Sequence, residues 1–175
     1  VLIGGPPCQA YSIAGRARNQ SAKNYKPEED ERHFLYREYL EVLHYMKPAV
    51  FVMENVKGLL SSEVKGEGIF NRILEDLKGT TESTGDKGLE KRYTIYSLVK
   101  TAAENGRDYL VRSEEYGIPQ TRHRVILLGV RNDIAEKGIE TNLKRDSQTW
   151  TVRQVLWDLP KLRSGLSKGE DSTER

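Results

Sequence analysis

The chain has 175 residues, 37% hydrophobic and 31% charged, which suffices for one soluble globular domain with a sizeable core. A formal net charge of +2 and a pI near 8.6 exclude a polybasic protein, so any binding of nucleic acid has to come from local patches. A single cysteine excludes an internal disulfide and, with no signal-like start or long apolar run, points to a reducing cytoplasmic setting and no membrane partner. His33, His44 and His123 are scattered among charged residues without a second cysteine, so no metal site is expected.

Val1-Leu2-Ile3 followed by Gly4-Gly5 reads as the carboxyl end of a buried strand. The chain starts without a methionine and inside this strand, so it reads as a piece of a larger protein. Gly4-Gly5-Pro6-Pro7-Cys8-Gln9 then presents the cysteine behind two prolines that fix φ and restrain the residues before them. A free cysteine is more often a small core hydrophobe than a catalyst, but this is a costly sequence to carry for packing alone. In an open α/β sheet, ligands bind beyond the carboxyl ends of such strands. Residues 13–26 carry Arg16, Arg18, Lys23 and Lys26 with no acidic residue and read as a basic loop.

Glu28 to Glu31 supply negative charge ahead of Phe34, Leu35, Tyr39, Leu40, Val42, Leu43 and Met46, which recur at helical spacing. Pro48 should stop this helix near Met46. Ala49 to Met53 reads as a second buried strand that delivers Glu54 to the same sheet edge as Cys8. After a connection over residues 58–67, Ile69, Phe70, Ile73, Leu74 and Leu77 give a helix ending near Gly79, and residues 79–92 read as an exposed loop.

Tyr93 to Val99 suits a strand, with Tyr109 to Val111 paired nearby through a turn at Asn105-Gly106. Arg124 to Val130 is the clearest strand of all. Thr151 to Leu159 suits a helix capped by Thr151 and stopped by Pro160, with Trp157 on its packing face and Trp150 also read as a packing residue. Residues 164–175 should be disordered. Strands alternating with helices imply an α/β protein with a parallel-type, three-layer sheet, and no Gly-rich dinucleotide or adenosine loop follows any strand.

Gly4 to Ser12, Glu54-Asn55-Val56 and Gln120-Thr121-Arg122-His123-Arg124, in that order, resemble the nucleophile, Glu-Asn-Val and Gln-X-Arg-X-Arg motifs of the DNA cytosine-5-methyltransferases. Thr151-Val152-Arg153 with Leu159-Pro160 is similar to a later family element, so the likeness runs from Val1 to about Leu162. The resemblance implies the C-terminal half of a Rossmann-like methyltransferase sandwich over residues 1–162. Residues 163–175 would be a tail or the start of a linker to a target-recognition region. It implies S-adenosylmethionine as methyl donor, double-stranded DNA as partner, and a role in restriction-modification.

In that reading the Cys8 thiolate attacks carbon 6 of an extruded cytosine. A thiol of ordinary pKa, about 8.5, is only slightly ionised at neutral pH, so nearby arginines or a helix start would have to assist. Glu54 would contact ring nitrogen 3 and the exocyclic amine, Arg124 the base oxygen, and Arg122 the surrounding polar network. Pro7 would place the sulfur and the cofactor's methyl end. Gln9 and Ser12 would lie near the vacated base position and the phosphates, with Arg16 and Arg18 adding phosphate contacts. The base has to leave the stack because carbons 5 and 6 are inaccessible to this attack within it. The upstream cofactor loop is absent from the chain, so these residues alone should be inactive. The rival readings are the tRNA-directed branch of the same family and a non-catalytic module that binds DNA.

Overall fold

The computed structural model describes residues 1–7, 35–64, 66–79, 93–135 and 139–160. The basic loop, the acidic run Glu28 to Glu31, residues 80–92 and the C-terminal tail lie outside them, as do Cys8, Gln9, Ser12, Arg16 and Arg18.

Strand β1, Leu2–Gly4, pairs in parallel with β2, Val50–Val56, in the register Leu2 to Phe51 and Gly4 to Met53. Between them helix α1, Tyr36–Met46, ends where Lys47 turns left-handed (φ 43°) and donates its N–H to Leu43 O at 2.9 Å, one residue before Pro48. Small β3, Glu63–Val64, and β4, Glu67–Gly68, form a separate two-stranded sheet that leads into α2, Ile69–Lys78. Gly79 caps α2 in the left-handed region (φ 70°), as expected for a helix stopped by glycine. Strands β5, Tyr93–Tyr96, β6, Leu110–Arg112, and β7, His123–Arg131, complete the central sheet, and α3, Val152–Leu156, follows.

The sheet order is β1-β2-β7-β5, with β6 also paired to β7. Among the described strands only the β1–β2 pair is parallel; β7 runs antiparallel to β2, β5 and β6. The protein is thus mixed α/β around a central sheet, and the expected parallel arrangement holds only where a helix, α1, forms the crossover. Antiparallel neighbours need no such crossover.

Several features differ from expectation, among them β1, where Ile3 is 74% exposed rather than buried, and β5, which ends at Tyr96 rather than Val99. Strand β2 runs through Glu54 and Asn55 to Val56, because its ladder with β7 continues to the pair Val56 and Arg124. Strand β6 pairs with β7, not β5, and Asn105 is no hairpin turn: it accepts the Arg107 N–H at 3.0 Å and caps a short 3-10 helix, Gly106–Tyr109. Helix α3 is capped by Thr151 as expected but buries no residue, and Trp157 is 77% exposed rather than packed. Trp150 is also exposed, its indole N–H donated to Gly117 O at 2.7 Å.

The core lies on the sheet face bearing Phe51, Met53, Val125 and Leu127, closed by Ile69, Phe70, Ile73 and Leu77 of α2 and by Tyr36 and Leu43 of α1. Tyr36 joins the two helices by donating its hydroxyl to Asp76 Oδ2 at 2.8 Å; burial and that carboxylate push the phenol up to about 12. No helix among the described residues is long and apolar enough to cross a membrane.

Candidate active site

The site lies at the carboxyl ends of β1 and β2. In β2 alternate residues take opposite faces, so Phe51, Met53 and Asn55 point into the core while Val52, Glu54 and Val56 lie on the other face. Antiparallel pairing sets Glu54 opposite Ile126 and Val56 opposite Arg124. Glu54 and Arg124 are therefore diagonal neighbours on one face, within reach for long side chains. Arg124 Nε meets Glu54 Oε1 at 2.7 Å, and its Nη1 donates to His123 O at 2.8 Å. The two side chains are 40% and 25% exposed, Glu54 the more, so the pair sits at the mouth of the site rather than in the core.

Strand β1 ends at Gly4, and the turn Gly5-Pro6-Pro7 runs alongside the end of β2. A Cβ on Gly4 would strike the Tyr39 ring at 2.6 Å, and one on Gly5 would come within 3.1 Å of Glu54 Oε2. Glycine at these positions lets Tyr39 lie against the strand, where its hydroxyl donates to Val52 O at 3.2 Å, and lets the Glu54 carboxylate lie against the turn. Burial pushes the Tyr39 phenol up to about 12. Asn55, only 3% exposed, donates Nδ2 to Pro6 O at 3.2 Å and accepts the Val56 N–H on Oδ1 at 2.9 Å. Pro7 is exposed, one residue before Cys8.

Arg122 lies outside this group. Strand β7 begins at His123, so alternation reaches Arg124 and stops short of Arg122. The Arg122 N–H turns back to Gln120 O at 2.9 Å, its carbonyl accepts from Ser113, and its exposed guanidinium has no ion-pair partner among the described residues. Between the arginines, His123 Nε2 meets Glu114 Oε1 at 2.6 Å. The Glu114 carboxyl is held below its ordinary value, first by its own backbone N–H and then by His123. Among the described residues no group of three or more His, Cys, Asp or Glu side chains is arranged to hold a metal ion.

The geometry thus brings Glu54, Arg124 and the Gly-Gly-Pro-Pro turn together. Asn55 and Gly5 are additional members, named within motifs in the sequence but given no role there. The signal for Asn55 was available: with Phe51 and Met53 it occupies every second position, an amide on an otherwise apolar row.

Residues 1–174 match the sequence profile of the C-5 cytosine-specific DNA methylases. The chain is 29% identical over 167 residues to a type II methyltransferase of Bacillus paralicheniformis, covering 93% of this chain and 33% of that protein. It is 36% identical over 134 residues to a type II methyltransferase of Lysinibacillus sphaericus, covering 77% and 24% of the two chains. With a DNA (cytosine-5-)-methyltransferase of Aeropyrum pernix it shares 34% identity over 153 residues, 81% of this chain and 29% of the other. A solved structure described as a DNA modification methyltransferase encoded within a prophage of E. coli superposes with a TM-score of 0.55 at 23% identity. It covers 99% of this chain and 40% of that one, and the likeness is one of fold. The chain spans about a quarter to a third of the length of these curated relatives. With the ordered motifs, the mixed sheet and the profile match over nearly its whole length, the chain belongs to the C-5 cytosine-specific DNA methylase family.

Proposed function

We propose that the protein to which this chain belongs transfers a methyl group to carbon 5 of a cytosine extruded from double-stranded DNA, in a restriction-modification setting in the cytoplasm. The observation that carries the reading is the Glu54–Arg124 pair, held at 2.7 Å beside the turn that leads into Cys8. The type II and cytosine-5 activities named for the relatives support the same chemistry.

In this account the Cys8 thiolate forms a bond to carbon 6, and the displaced electron pair of the 5,6 double bond moves toward ring nitrogen 3. Glu54 supplies the proton or hydrogen bond that nitrogen 3 takes up. Its Oε1 is held by Arg124, so Oε2, which lies against Gly5 and has no described hydrogen-bond partner, is the oxygen left for the base. Arg124 keeps the carboxyl aimed and offers positive charge for the base oxygen. Arg122 would join only when nucleic acid covers the site. Gln9, Ser12, Arg16 and Arg18 would contact the DNA. S-adenosylmethionine, when bound, would supply the methyl group to carbon 5 from its sulfonium sulfur, which keeps the bonding pair and leaves as a neutral thioether. The exposed Pro7 fits an approach of that group to this edge and would flank it. Once carbon 5 is methylated, it loses its proton to solvent base, the bond from carbon 6 to the Cys8 sulfur breaks, and Glu54 recovers its proton. The 5,6 double bond and the thiolate are thereby restored.

The 175 residues alone are proposed to be inactive, consistent with relatives about three to four times as long. The test is transfer of labelled methyl from S-adenosylmethionine by the full-length protein to duplex DNA and, separately, to tRNA. Label on cytosine carbon 5 of DNA alone is expected; label on tRNA alone, or on neither, overturns the reading.

A further inference from the structure

We propose that Asn55 is a positioning residue that sets the distance between the Pro-Pro turn and Glu54, and so the approach of Cys8 to the base. The proposal rests on the methyltransferase reading above. Its ground is a break in the backbone pairing. The ladder between β1 and β2 ends at the pair Gly4 and Met53. Beyond it come Pro6 and Pro7, which have no N–H and cannot donate to a neighbouring strand. The turn that aims Cys8 is thus deprived of the donors that would pin a continuing strand.

The Asn55 amide makes good that loss from the other side. It lies two residues past Met53, 3% exposed on the core face, and its Nδ2 donates to Pro6 O at 3.2 Å. Its Oδ1 accepts the Val56 N–H at 2.9 Å, which fixes the orientation of the amide. A buried amide that spends both its donor and its acceptor atom on backbone groups tolerates no easy substitute. On the opposite face of β2 the adjacent Glu54 carboxylate lies so close to Gly5 that a Cβ there would come within 3.1 Å of Oε2. A small shift of the turn therefore changes the placement of Glu54 and of the chain entering Cys8 together. Asn55 touches neither base nor cofactor; it acts through Pro6.

The test measures, in the full-length enzyme, the single-turnover rate of covalent adduct formation on duplex DNA carrying 5-fluorocytosine at the target. Asn55→Ala is expected to slow the adduct by about 10- to 100-fold, with DNA affinity within about twofold of wild type. Asn55→Asp keeps the acceptor for the Val56 N–H but can donate to Pro6 O only when protonated. Its rate relative to wild type should therefore rise as pH falls from about 8 to about 6. Ionisation of Glu54, Arg124, Tyr39 and Cys8 that is common to both enzymes cancels in that ratio. An Asn55→Ala enzyme that melts lower but reacts at the wild-type rate, or a flat ratio for Asn55→Asp, assigns the amide to core packing and overturns the proposal. If Asn55→Ala does not fold, the Asn55→Asp ratio decides alone. Wild-type enzyme that forms no adduct defeats the methyltransferase reading itself, and the proposal with it.

Discussion

Gly129→Ala should destabilise the sheet that carries the site, and the structure gives the reason and the size. Gly129 lies opposite Phe51 in the β2–β7 ladder, and the Phe51 ring covers it so closely that a Cβ would run into three ring carbons. Phe51 is fully buried, with Tyr93 edge-on at 5.0 Å and Tyr39 at 6.2 Å, so the ring has no free direction in which to swing. Gly129 is not among the glycines with positive φ, so alanine meets no backbone strain and gains about 0.4–1 kcal/mol from a less flexible unfolded chain. Against that, overpacking of a well-filled core costs about 1–3 kcal/mol. The net expectation is a loss of about 1–2 kcal/mol in urea unfolding, equivalent to about 2–8 °C in melting temperature. Phe51→Leu removes the obstructing ring, so the double variant should lose at least about 0.5 kcal/mol less than the sum of the singles. Wild-type stability in Gly129→Ala, or strict additivity with Phe51→Leu, would refute the steric argument.

Two further outcomes follow from the charged groups. Arg124→Lys removes the planar Nε contact to Glu54 and the bond to His123 O. Because both side chains are partly exposed, stability should change by less than about 1 kcal/mol, while kcat of the full-length enzyme falls by about tenfold or more. Equal activity in the two enzymes would detach the pair from the chemistry. The Asp108 carboxyl is held below its ordinary value by the N–H groups of Glu104 and Asn105 and then by Lys100. A depressed folded pKa stabilises above the unfolded value and is lost as pH falls through the folded one. Asp108→Asn should therefore have a lower urea midpoint than wild type at pH 7, and the gap should close below about pH 4. A gap that persists unchanged in acid would contradict this assignment.

Local chemistry was legible where a residue acts on its own neighbours. Pro48 ends α1, Gly79 ends α2 and Thr151 caps α3, each by a backbone restriction or a bond within a few residues. What remained hidden was set by distant partners. Glu54 marks a change to polar side chains, yet β2 continues two residues past it because β7 supplies ladder partners as far as Arg124. Asn105-Gly106 carries the composition of a hairpin turn, but the same Asn side chain caps a helical turn equally well, and β6 finds its partner in β7. The apolar run Val125 to Leu128 suits a buried strand of either direction, so its antiparallel course was not readable. At the site, Glu54 and Arg124 were each visible as residues, whereas their contact depends on the β2–β7 register.

The most direct test of the central claim is covalent trapping by the full-length protein on duplex DNA with 5-fluorocytosine at the target, in the presence of S-adenosylmethionine. Fluorine at carbon 5 blocks the final proton loss, so a Cys8 nucleophile should leave a stable protein–DNA adduct. Wild type is expected to yield that adduct, denaturant-resistant and stoichiometric, and Cys8→Ser none. Absence of the adduct from both, or an equal yield from Cys8→Ser, would contradict the account.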